Sequence, residues 1–430
     1  MEVRPVARSM VPDADRTAPD PASHQAPDDI PAYPMARAQG CPLDPAPELR
    51  ALRAETPLTR VRLWDGSTPW LVTRYADQRG LLADKRVSAD SSRDGYPHQS
   101  PATKARRAQS RTFIAMDDPE HARLRKMVTG TFTVRRTEEL RLSIQRIVDD
   151  LIDRLLAGGR PADLVAGFAL PVPSLVICEL LGVPYADHDF FQRTSKALIS
   201  RSTTAEQAQQ AQGELLDYLD DLVGRKLAGP GDDLLSRVAA EQVRTGQLSQ
   251  RELASMGVLL LIAGHETTAN MIALGTYALL THPDQLARVR EASTADDPKL
   301  IGNAVEELLR YLTIVHTGRR RVALEDIEIG GQVIRAGEGI VIPSEAGNRD
   351  DAVFADPDAL DVTREGRRHV AFGYGVHQCL GQPLARVELQ VVYSTLYRRI
   401  PGLALAADPA DLPFKHDSVV YGLHKLPVTW

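Results

Sequence analysis

The chain has 430 residues, a hydrophobic share of 43% and 30 glycines, the make-up of a globular protein with ample material for a core. With 51 basic against 57 acidic residues, a net charge of −6 and a pI near 6.0, wrapping of nucleic acid by bulk charge is disfavoured. The longest strongly apolar stretch, 256–264, falls short of the roughly 20 residues of a membrane span; no secretory leader is visible, and three Cys suit a reducing cytosol better than a disulfide scaffold.

Residues 1–33 carry Pro5, Pro12, Pro19, Pro21, Pro27 and Pro31 with many Asp, and read as a disordered tail. Packed sequence is expected from 34 to 430. The stretches 58–64 and 70–75 flank Asp65-Gly66 and predict a hairpin. Apolar residues at helical spacing predict helices over 134–156, 205–227, 249–280 and 380–399. Strand signals return at 326–342 around Gly330-Gly331. An irregular Pro- and Asp-rich stretch covers 343–368, and short strands are expected within 403–428. Without a repeat or a linker, one unit is the economical reading: mainly α with small β-sheets.

Four segments carry chemistry. In Asp117-Asp-Pro-Glu-His121-Ala-Arg-Leu-Arg125, an Asp can cap a helix, Pro119 suits its first turn, and His121 and Arg125 lie one turn apart. Two such donors suit a pair of carboxylates or a phosphate; the plainer reading is a solvated helix face. Ala263-Gly-His-Glu-Thr-Thr268 lies within the long apolar helix. There the Glu266–Thr267 pair is costly unless something uses it, and Gly264 removes bulk where a flat ligand could lie. A capped or water-bound pair at a helix kink is the alternative. A zinc-protease motif is excluded, because residue 269 is Ala.

Glu306-Glu-Leu-Leu-Arg310 sets Glu307 and Arg310 on one helix face, a surface ion pair by default. The richest segment is Phe372-Gly-Tyr-Gly-Val-His-Gln-Cys-Leu-Gly-Gln-Pro-Leu-Ala-Arg386. Its glycines let backbone N–H groups converge on the Cys379 sulfur, and a helix starting at Leu380 sets its positive end there. Such a thiolate can ligate a soft metal or haem iron; a buried structural cysteine is the alternative. Zinc is disfavoured, since no other Cys lies nearby.

In this order the four segments resemble the cytochrome P450 family over about residues 34–430, closest to soluble bacterial enzymes acting on secondary metabolites and xenobiotics. Stretches at 168–174, 215–219 and 270–275 also resemble the fungal nitric oxide reductase P450s. The resemblance implies the cytochrome P450 fold and haem b as cofactor. Cys379 then falls at the axial thiolate position, with Phe372, Gly373 and Gly381 in its turn. Ala263 and Gly264 fall in the oxygen-binding groove, and Glu266 and Thr267 at the acid and alcohol that deliver protons. His121, Arg125, Arg321 and His377 fall at propionate-binding positions. Arg321 is chosen from Arg319-Arg320-Arg321 because it precedes Asp326 by five residues. Glu307 and Arg310 become a buried clamp, with Arg364 as third member and 348–350 and 361–364 in the meander that follows.

The implied activity is insertion of one oxygen atom from O2 into a hydrophobic small molecule by a cytoplasmic monomer. Electrons are expected from a ferredoxin and its reductase, docking near Lys126 and Arg386. The alternatives are a nitric oxide reductase using NADH directly and a haem-based sensor. Glu266 weighs against the former, since the matching segment of the fungal enzymes lacks the acid. By analogy, substrate is walled by 87–112, 187–204, 259–267, 311–318 and 415–423, with Ile262, Ala263, Ile314 and Val315 near the iron. Cys41 and Cys178 have no assigned role.

Overall fold

A computed structural model describes residues 30–430 apart from 39, 102, 106–111 and 200–202. The expected tail therefore lies outside the described residues up to 29. Residues 30–33 already pack: the Tyr33 N–H donates to Arg62 O at 2.9 Å, and the Tyr33 side chain is buried.

The long helix Gln250–Thr281 forms the spine. Ser249 and Glu252 close a capping box at its start, satisfying backbone N–H groups that no helical carbonyl reaches. Its 32 residues span about 48 Å at 1.5 Å each. By length and composition it could cross a membrane, which the short apolar core 256–264 did not suggest, but 72% of its apolar window is buried within the protein. Pro171–Leu181, Ala205–Ala228 and Gln382–Arg399 pack around it. Gly275 permits one of these approaches: a Cβ there would overlap the Tyr393 hydroxyl, which donates to Met271 O at 2.6 Å.

The helix expected over 134–156 is two, Val134–Glu139 and Arg141–Ala157, parted at Leu140. The Asp65-Gly66 hairpin forms, with Leu58 opposite Val72 and Gly66 at φ 81° in the turn. Its strands, Leu58–Arg60 and Trp70–Val72, lead a five-stranded sheet continuing through Gly339–Ile342, Arg319–Ala323 and Val87–Ser88. Only the contact between the second and third strands of that order is parallel. Arg319–Ala323 was not expected, because three successive arginines hide the alternation that marks a strand. The Gly330-Gly331 turn joins Ile327–Ile329 to Gln332–Ile334, and Pro427–Thr429 pairs with both Ala162–Asp163 and Ala404–Leu405.

Candidate active site

The cysteine turn precedes its helix instead of opening it. The helix runs Gln382–Arg399 with Gly381 at its N-cap, so the start expected at Leu380 moves two residues along. The Gly381 N–H still reaches the Cys379 sulfur. On the other side the Cys379 N–H donates to Phe372 O at 2.8 Å. Gly373 sits at φ 74°, and a Cβ there would press on Arg319 Nε at 3.0 Å, so glycine answers two demands at once. Cys379 is exposed by surface area yet deeply surrounded by protein, so its open face looks into an internal cleft. Burial raises the thiol above its ordinary range; the Gly381 N–H, Arg319, Arg125 and Arg386 work against that rise.

Around the turn stands a group of donors. His121, 2% exposed on the helix Glu120–Thr129, donates through its Nδ1 to Asp118 Oδ1, 2.9 Å away. Its ring lies 4.1 Å from that of His377. Among the described residues, His121 Nε2 and His377 Nδ1 are buried without a partner. Burial, reinforced by Arg321, His121 and Arg125, pushes His377 down to about 3. Arg125 reaches Gln378 O at 2.6 Å. Strand alternation separates the three arginines. Arg319 and Arg321 share one face, while Arg320 turns to the other, 5.3 Å from the Tyr33 ring. Arg319, which sequence reading passed over, donates to Ala371 O at 2.6 Å, and burial lowers it to about 10.

The central helix stays α-helical without a break through 263–268. Ala263 is exposed, and Gly264 and Thr267 are half-buried, between the buried His265, Glu266 and Thr268. Gly264 does not serve as expected. The Cβ it lacks would meet Ile177 at 3.1 Å, so the missing side chain makes room for the helix Pro171–Leu181 on that side. The Thr267 hydroxyl donates to Ala263 O at 2.6 Å. Glu266 is buried, and its Oε2 accepts from Asn270 Nδ2 at 3.2 Å and Lys415 Nζ at 3.4 Å. Lys415 was seen only as the start of a cleft-lining segment, because nothing local links it to Glu266.

Two buried networks lie behind the cysteine. Glu307 takes Arg310 Nε and Nη2, both at 2.7 Å, Arg364 Nε at 3.1 Å and the Asp361 N–H at 3.0 Å. Arg310 also donates to the carbonyls of Asn348, Pro357 and Ala359. The pair is thus a clamp on the meander and not a surface bridge. Its neighbour Glu306 forms the second network, with His369 Nε2 at 2.9 Å and Arg386 Nε at 2.6 Å. Burial opposes its ionisation, but the bonds from His369 and Arg386 prevail and hold it at about 2. Arg386, engaged there and over the Phe372 ring, is not a free docking cation; Lys126 is exposed.

A haem would ask this cleft for a soft axial donor and for partners to two carboxylates. The residues fit. A thiol faces the cleft, and two imidazole nitrogens unpartnered among the described residues stand with Arg125 and Arg321 where the carboxylate acting on His377, Asp118, is already bound to His121.

The comparisons agree with this geometry. The family model for cytochrome P450 matches residues 187–400. The chain is 58% identical over 415 residues to cytochrome P450 GfsF of Streptomyces halstedii, covering 96% of this chain and 98% of that one. The crystal structure of GfsF superimposes with a TM-score of 0.87 over 93% of this chain and 100% of its own. The 20-oxo-5-O-mycaminosyltylactone 23-monooxygenase of Streptomyces fradiae is 47% identical over 401 residues, 93% of this chain and 92% of its own. The mycinamicin VIII C21 methyl hydroxylase MycCI of Micromonospora griseorubida, solved with mycinamicin VIII bound, has a TM-score of 0.87 at 41% identity, over 93% of this chain and 100% of its own. Cleft, clamp and relatives lead to one conclusion: this chain belongs to the cytochrome P450 family and is a haem b monooxygenase.

Proposed function

We propose that the enzyme hydroxylates a hydrophobic secondary metabolite with one atom of O2, drawing electrons from a separate ferredoxin and its reductase in the cytoplasm. The observation that carries this reading is the buried Glu266 beside Thr267, whose hydroxyl donates to Ala263 O within the central helix. By their names MycCI is a C21 methyl hydroxylase of mycinamicin VIII and the Streptomyces fradiae relative a 23-monooxygenase of 20-oxo-5-O-mycaminosyltylactone, and each match covers 93% of this chain.

Haem b, when bound, supplies the oxygen-activating chemistry. Cys379 would hold its iron, with the Gly381 N–H and the nearby arginines tempering the sulfur. Phe372 and Gly373 keep the turn in shape. His121, Arg125, Arg321 and His377 would receive the two propionates. Ala263 would border the oxygen side, and Gly264 would keep that part of the helix against its neighbour. Thr267 would turn its hydroxyl from Ala263 O toward the reacting oxygen, and Glu266 would link it to water. Residues 34–430 would act as one catalytic unit, as a monomer. Nitric oxide reduction needs no such acid, so the oxygenase reading is preferred. The proposed substrate wall at 87–112 falls partly outside the described residues, at 102 and 106–111. The same holds for 187–204 at 200–202.

Optical titration of the ferric holoenzyme with hydrophobic natural products tests the pocket, and a Thr267→Ala variant tests the relay. A spin shift with one compound class, and electron use detached from product formation in the variant, are the expected results. Unchanged product per reduced nicotinamide in Thr267→Ala would overturn the relay assignment.

A further inference from the structure

We infer that Lys415 is a positioning residue for Glu266, joining the C-terminal hairpin to the acid of the proposed proton relay; this rests on the oxygenase reading. The Glu266 side chain is 5% exposed and the Lys415 side chain 11%, so both charges are largely withdrawn from water. A buried carboxylate needs a partner, and the central helix offers it only an amide, Asn270. The ammonium comes from 149 residues away.

The hairpin that carries Lys415 is tied on several sides. The Lys415 N–H donates to Gly422 O at 2.8 Å, and the His424 N–H to Pro413 O at 2.9 Å. The Tyr421 N–H donates to Ile314 O at 2.8 Å, anchoring the hairpin to a segment that borders the proposed substrate wall. Gly422 presses on Asn270 so closely that a Cβ would overlap its amide. The hairpin therefore touches Glu266 twice, directly through Lys415 and indirectly through Asn270. Both arms end on the same oxygen, Oε2. Fixing Oε2 fixes the plane of the carboxylate, and with it the direction in which Oε1 faces. The other titratable group against the pair is His265, fully enclosed and driven toward its neutral form by burial, so it does not supply a competing charge. A shift of the hairpin on substrate binding would thus reorient the acid.

The test is a double-mutant cycle on the holoenzyme without substrate, driven by NADPH through ferredoxin and its reductase. The readouts are the rate of O2 consumption and the share of that O2 released as hydrogen peroxide. Haem loading is first checked by the reduced-CO spectrum. Lys415→Met should slow turnover about tenfold and raise the peroxide share, less than the roughly 10²–10⁴ that a positioned proton donor itself contributes, because the acid stays in place and only its orientation is lost. Glu266→Gln should do the same to a greater degree, and the double variant should be no worse than Glu266→Gln alone. Lys415→Arg should restore most of the loss. A crystal structure of Lys415→Met should find the Glu266 carboxylate off its Asn270 contact. Parent-like behaviour of Lys415→Met, or losses that multiply in the double variant, would overturn the inference while leaving the relay in place. Parent-like behaviour of Glu266→Gln would remove the relay assignment and this inference together. Should Lys415→Met fail to load haem, Lys415→Gln takes its place in the cycle.

Discussion

Removing Arg310 should cost the protein more than the loss of one ion pair. Its side chain is 2% exposed, and it donates twice to Glu307 and once each to the carbonyls of Asn348, Pro357 and Ala359. Arg310→Ala leaves Glu307 with Arg364 and the Asp361 N–H, and strips three meander carbonyls of this donor. Breaking one side of a buried pair costs about 3–5 kcal/mol. Whole-domain stabilities are about 5–15 kcal/mol, so the variant should be marginal. Glu307→Ala should fare similarly, since it leaves a buried guanidinium with carbonyl partners alone. The double variant should lose much less than the sum, because the second change removes a charge the first left stranded. Urea unfolding at neutral pH, with haem content from the reduced-CO spectrum, measures this. Normal haem content in both single variants, with unfolding free energies within about 0.5 kcal/mol of the parent, would refute the clamp reasoning.

Three further outcomes follow from buried groups. Glu388 lies 3% exposed in the cysteine helix, its Oε2 lacks a partner among the described residues, and burial raises it to about 8. It is therefore protonated in the fold between its ordinary value of 4.5 and about 8 while the unfolded chain is ionised, so it costs stability as pH rises through that window. Glu388→Gln should unfold at higher urea at pH 8 and lose up to about 1.4 kcal/mol per pH unit of that slope; an unchanged slope would count against the burial account. For Glu306 the sign is opposite. Held at about 2 by His369 and Arg386 against 4.5 in the unfolded chain, it stabilises the fold above 4.5 and loses that contribution as pH falls toward 2. Glu306→Gln should cost about 3 kcal/mol at neutral pH, with the gap to the parent narrowing in acid; a constant gap would contradict this. Gly275→Ala should destabilise by about 1–3 kcal/mol through overlap with the Tyr393 hydroxyl, and Tyr393→Phe in the same chain should recover part of it.

How far sequence alone reached depended on whether a feature is local. The helices near 205–227, 249–280 and 380–399 appeared within two residues of their expected bounds, because caps and helical spacing lie within the segment that folds. Glu307 and Arg310 were legible as a pair because they lie one turn apart. Their burial was not, since it comes from carbonyls up to 49 residues further along. The glycines and cysteine of 373–381 announced a turn built around a sulfur, for the same local reason.

Other features belong to tertiary structure alone. The separation of Arg320 from Arg319 and Arg321 waited on the strand that alternates their faces, and that strand exists only because Gly339–Ile342 and Val87–Ser88 pair with it. Gly264 suggested room for a ligand until Ile177 was found filling that side. Glu306 meets His369 and Arg386 across 63 and 80 residues, and Glu266 meets Lys415 across 149. Spacing in the chain reports which side chains share a turn or a face. Which charges neutralise one another in the dry interior is decided by packing, because only packing brings distant segments close enough, and excludes water well enough, for the pairing to matter.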